Sequence, residues 1–143
     1  MGRAPGDAAT AWYTYAIIRV VPRVDRGECV NVGVVLFARE RRFLGARIEL
    51  DAERLHALAP EADVELIRRH LETFLAICAG DEAGGPLAAL PPADRFHWLT
   101  APRSTIIQTS AVHVGTSADP AAALDELLDA YVRPPRTSGT APG

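Results

Sequence analysis

The chain of 143 residues contains no lysine; all 15 of its basic side chains are arginines. This absence removes whole chemistries. A Walker phosphate loop needs its lysine, and a Schiff base with pyridoxal phosphate or a carbonyl substrate needs a lysine amine. Serine–lysine pairs and the strand lysine of protein kinases go with them. Aromatic residues are scarce at 6%, and only Phe43 stands beside the arginines at 39, 41 and 42. A stacking platform for single-stranded nucleic acid is therefore poorly supported. The formal net charge of -3 and a pI near 5.8 exclude a globally basic nucleic-acid binder. No apolar run approaches the roughly 18 residues that span a bilayer. The first residues, MGRAPGDAAT, carry no signal-peptide core. Cysteine is limited to Cys29 and Cys78, far apart in apolar surroundings, which reads as two reduced, buried thiols in a cytoplasmic protein. His56, His70, His97 and His113 show no metal-ligand spacing, and neither cysteine belongs to a Cys-x-x-Cys unit, so no metal and no cofactor is expected.

What is present describes one domain. Hydrophobic residues make up 48% of the chain, enough for a sizeable core. Charge is uneven: residues 12–47 hold seven arginines against three acids, and residues 48–143 hold seven against fourteen. Such asymmetry suits either an anion site or packing of two complementary halves. Residues 1–11 and 134–143 read as disordered tails around a domain at 12–133. Trp12–Val21 is dense in β-branched and aromatic residues and apolar on both faces, as an interior strand is. The second strand runs from Cys29 to about Ala38, with Val30, Val32, Val34 and Leu36 on one face. The third alternates, with Leu44, Ala46, Ile48 and Leu50 inward. Asp51 caps a short helix ending near Leu58. Val64, Ile67, Leu71, Phe74, Leu75 and Cys78 form the stripe of a second helix, which Gly80 ends. Residues 80–93 read as a long loop, Thr105–Gly115 as a fourth strand, and Asp119-Pro120 opens a last helix. The fold class is α+β: an antiparallel β-meander of three strands plus a fourth strand, with two to three helices packed on one face.

The unusual stretch is polar. Arg19 interrupts an apolar strand, and Asn31 and Gly33 fall on one face of the next by simple alternation. A glycine within a strand often marks close approach by another group. Arg26 and Glu28 flank Gly27 in the connecting loop. In one reading Arg19 or Arg26 pairs with Glu28, and the network specifies the hairpin without chemistry. In another, Arg19, Arg26, Glu28 and Asn31 meet Arg103, Ser104 and Thr105 in an anion pocket, where the arginine fork suits phosphate or carboxylate. Catalysis with Glu28 as general base would need a nucleophile or metal that the sequence does not display. His97 and Trp98 precede Arg103 and stand where they could edge such a pocket. Trp98 also suits a core anchor.

The run YAIIRVVPRVDRGECVNVGVVLF, with FHWLTAPRSTIIQTSAVHVG and DPAAALDELLDAYV, resembles the bacterial domain of unknown function 3037 over about residues 12–133. Arg26, Glu28, Asn31 and Gly33 form its most specific portion. The resemblance implies a small bacterial protein without an assigned catalytic residue, and a HipA-like kinase-fold protein as partner. The expected function is a non-catalytic binding or interaction module. A first strand apolar on both faces, needing cover from another chain or a second copy, argues for it. The alternatives are an anion- or nucleotide-binding domain built on the Arg/Glu/Asn cluster and, behind it, a metal-dependent nuclease.

Overall fold

The computed structural model describes residues 10–134. The tails expected at 1–11 and 134–143 lie almost wholly outside them, but Ala11 is buried and already part of the first strand. The elements are β1 (Ala11–Val20), β2 (Val30–Ala38), a 3-10 turn (Arg39–Arg41), β3 (Phe43–Ile48), α1 (Ala52–Leu58) and α2 (Val64–Ala79). There follow a 3-10 segment (Glu82–Ala89), α3 (Pro92–Thr100), β4 (Ile107–Thr109), β5 (His113–Ser117) and α4 (Pro120–Tyr131).

β1, β2 and β3 form the expected antiparallel meander, and β1 is an interior strand of the whole sheet. β2 lies on one side of β1, while β4 and β5 share the other. Gly27 turns the β1–β2 connection at a φ of 75°, a left-handed conformation that a side chain disfavours. The expected fourth strand is divided. Ser110 stands at the break, buried, and its hydroxyl accepts the amide of Ile17 at 2.9 Å. It thus replaces a ladder acceptor where the chain leaves β4 for β5.

Helices pack on both faces of the middle of the sheet, which corrects the expectation of helices on one face. Ala16, Ile18, Val20, Val32 and Val35 pack with Leu55 of α1, Ile67, Leu71 and Phe74 of α2, and Phe96 and Leu99 of α3. On the opposite face Ile17, Val34, Leu36 and Ala38 pack with Ala123, Leu124 and Leu128 of α4. Burial of each Val, Leu, Ile or Phe side chain among them contributes about 1.5–3 kcal/mol. From Ala16 to Val20 the doubly apolar character of β1 is thus satisfied within the chain, and this stretch needs no other chain to cover it.

The alternation of β2 also differs from expectation. Ile18 lies opposite Gly33 but Arg19 lies opposite Asn31, so Val32 is an extra residue in the ladder. Such a bulge shifts the parity of a strand. Val30 and Val32 therefore face α1–α3 with Val35, whereas Val34 and Leu36 face α4. Asn31 and Gly33, expected on one face, are on opposite ones. Asn31 donates to the carbonyl of Tyr131 at 3.0 Å beneath the end of α4. A Cβ on Gly33 would meet the Arg47 carbonyl at 2.5 Å and Ile48 at 2.9 Å. The bulged Val32 carbonyl accepts the Glu49 amide at 2.7 Å, which ties the irregularity to the end of β3.

The helices follow their caps. Asp51 accepts from the amides of Glu53 and Arg54, Asp63 from Leu66, and Asp119 from Ala121 and Ala122. Gly80 ends α2 at a φ of 73°. The unforeseen element is α3, which starts on Pro92 at its first position. Arg95 joins it to the rest of that layer, donating to the carbonyls of Leu90 at 2.6 Å and Cys78 at 3.4 Å. Cys78 is buried as expected, but Cys29 is exposed, a correction that follows from its place in the solvated loop before β2.

Candidate functional site

α2 and α3 cover the same sheet face, next to β4. Between them opens a cavity of about 820 Å³. Phe74, Ile77 and Leu99 form its apolar floor, His70 and Thr73 of α2 line one side, and Trp98 lines the other. Pro102 follows α3, and the chain returns through 103–106 to β4, closing the remaining side with Arg103, Ser104 and Thr105. That return is held by its own bonds: the Thr105 hydroxyl donates to Ile107 O at 2.8 Å, and Gln108 Nε2 donates to Thr105 O at 2.8 Å.

Arg103 turns back on α3. Its guanidinium lies 4.2 Å above the centre of the Trp98 ring and donates to the Trp98 carbonyl. The stack presents a flat cation at the cavity wall. Trp98 is 38% exposed, so it is a wall of the cavity and not the core anchor that its composition also suited. Arg103 forms no ion pair among the described residues, whereas Arg23, Arg26, Arg47, Arg68 and Arg133 all have carboxylate partners.

The six residues singled out in the sequence do not form one site. Arg103 and Ser104 line the cavity; Arg19, Arg26, Glu28 and Asn31 do not. Arg26 and Glu28 form an exposed, two-pronged pair at 2.8 and 3.0 Å, and this arginine holds the Glu28 carboxyl below its ordinary range. Arg19 lies on the opposite sheet face, in register with Asn31 and Gln108. Its Nε is buried without a hydrogen-bond partner. Along the same face, Tyr15 stands 5.5 Å from His113 and 6.4 Å from Tyr131 between ring centres. Burial raises the Tyr15 phenol above its ordinary pKa, and the contact with Tyr131 adds to it. The β-bulge carries Asn31 to the α4 side, where the regular alternation of β1 already places Arg19.

Sequence reasoning missed His70, Thr73 and Phe74 as lining. Their signal was the shoulder of the α2 stripe, where His70, Thr73 and Ile77 recur at helical spacing beside the buried residues.

The model of a family described as proteins of unknown function, DUF3037, matches residues 15–132. The chain belongs to the DUF3037 family. The DUF3037 match runs from β1 to the residue after α4, and so takes in both the cavity and the Arg19 row. No curated protein and no solved structure matches the chain. Among the described residues of this DUF3037 chain, no helix is long and apolar enough to cross a membrane.

Proposed function

We propose that this DUF3037 chain is a non-catalytic binding module whose ligand seat is the cavity between α2, α3 and β4. The ligand has an apolar or aromatic body and one anionic group, a carboxylate or a phosphate. One observation carries the reading: an arginine without a carboxylate partner, stacked on a half-open tryptophan, at the wall of an apolar cavity of about 820 Å³. That volume lies in the usual range for small-molecule sites, which combine apolar walls with a few fixed polar groups. Arg103 supplies the forked donor, and the hydroxyls of Ser104 and Thr105 stand beside it. No histidine or carboxylate is hydrogen-bonded to Ser104 among the described residues, and no three His, Cys, Asp or Glu side chains gather to hold a metal. Binding therefore fits these residues better than nucleophilic chemistry or a metal-dependent nuclease.

The test is a thermal-shift and tryptophan-fluorescence screen with inorganic phosphate, nucleoside monophosphates and medium-chain carboxylates. The reading expects at least one class to raise the melting midpoint and perturb Trp98, with affinity falling at least tenfold in Arg103→Ala. If no probe moves the wild-type chain, or if Arg103→Ala binds as well, the reading fails. Nucleotides that bind best would favour the nucleotide form of the same site. The resemblance also suggests a HipA-like partner, and co-expression followed by pull-down tests that interaction separately.

A further inference from the structure

The opposite end of the sheet carries a second surface. β5 pairs with β1 along one edge, and among the described residues no strand pairs with its outer edge. Natural edge strands are usually guarded by lysine, proline or a bulge. The sequence of β5, His-Val-Gly-Thr-Ser, has none of these, and its register with β1 is unbroken. Beside this edge the sheet is uncovered. Trp12 is 66% exposed and Val114 62% exposed, and with Phe37 they line a pocket of about 400 Å³. A tryptophan left this open on a strand otherwise built for burial is a strong anchor point.

Arg39 and Glu40 both line the pocket, and the turn that carries them, Arg39-Glu40-Arg41-Arg42, is net positive. Arg39 lies over the Phe37 ring at 5.6 Å. Arg41 reaches across to donate to Ala118 O at 2.6 Å, which brings the arginine-rich β2–β3 turn to the end of β5. Arg42 is exposed in the same turn, and Glu40 is its single acid.

We propose that the outer edge of β5 takes an added strand from a partner protein: an extended acidic segment whose apolar side chain enters the Trp12–Phe37–Val114 pocket. Main-chain hydrogen bonds to β5 would supply affinity. The pocket would select the anchor residue, and the arginine turn would select acidic neighbours. This surface is separate from the cavity, and neither depends on the other.

The experiment titrates the folded chain with an eight-residue peptide of alternating valine and threonine around one phenylalanine, ending in glutamates, followed by amide and indole NMR shifts. A counterpart with lysines in place of the glutamates is the control. The expected result is shifts confined to residues 113–117 and the Trp12 indole, with the lysine peptide at least tenfold weaker. Val114→Lys should abolish the shifts while leaving the melting midpoint unchanged. Arg39→Glu, which reverses the charge at the pocket rim, should remove the preference for the acidic peptide. Equal binding of both peptides, shifts at the cavity instead, or no shifts overturn the proposal. A wild-type dimer that Val114→Lys dissociates also overturns it, by assigning the edge to a second copy.

Discussion

Ser110 shows how much one polar atom can carry. Its hydroxyl accepts the Ile17 amide inside the sheet and donates to Ala111 O at 2.8 Å. Ser110→Ala leaves a buried amide without an acceptor, a loss of about 1–3 kcal/mol. Urea unfolding should show a lower midpoint at unchanged slope. Cys78 is informative in another way. Burial raises its thiol from 9.0 to about 11, against the opposing charge of Arg95. The unfolded chain therefore loses this proton at lower pH than the folded chain does. The stability linked to Cys78 is fully present below pH 9 and is lost as pH rises towards about 11. Unfolding midpoints measured across that window should decline, with the tyrosines joining only above pH 10, since Tyr13 and Tyr15 also titrate later when folded. Cys78→Ala should flatten the part between pH 9 and 10, although it lowers the absolute midpoint by leaving a small void. In the native protein a thiol reagent should label exposed Cys29 and leave Cys78 unmodified until the chain unfolds.

At the scale of elements, caps and stripes were legible and irregularities were not. Asp51 and Asp119 were readable because an N-cap is a local contract between one side chain and the next two or three amides. Asp63→Ala should cost about 1 kcal/mol, read as a lower thermal midpoint, because the long helix α2 loses its first-turn acceptor. α3 escaped notice because its nine residues begin on Pro92 directly after Pro91 and lie beside glycines and alanines, where the helical period is short and faint. The β2 bulge escaped because strict alternation and alternation with one inserted residue look alike in a run of valines. Gly33 was the visible trace of it. Gly33→Ala sets a methyl group 2.5 Å from a backbone carbonyl that cannot swing away, and overpacking of this kind costs about 1–3 kcal/mol. The same substitution at Gly27, where no atom lies within 4 Å, should act through backbone conformation alone. Of the candidate site, Arg103 and Ser104 were legible because arginine after proline in a loop is conspicuous. The place of Asn31 was not, since it depends on the parity that the bulge alters, and Arg26 and Glu28 lie in a loop whose direction no alternation sets.

The whole molecule is closed by its first and last strands. β1 begins at Ala11, and its partner β5 ends at Ser117, with Ala11 opposite Ser117 across the ladder. α4 then seals the face that bears Ile17, Val34, Leu36 and Ala38. A chain ending after Ala111 keeps the meander but lacks both devices. It should show no cooperative thermal transition and should elute as aggregate, where the full chain gives a single sharp melt. The arrangement also sets a schedule in the cell. At about 5–20 residues per second, a ribosome that has released β1 needs on the order of 10 s before α4 follows it. Throughout that interval the nascent chain carries an apolar strand whose second side has nothing yet to rest against. Synthesis speed, and whatever shields emerging chains, therefore bear on the yield of this protein as directly as any contact in its finished core.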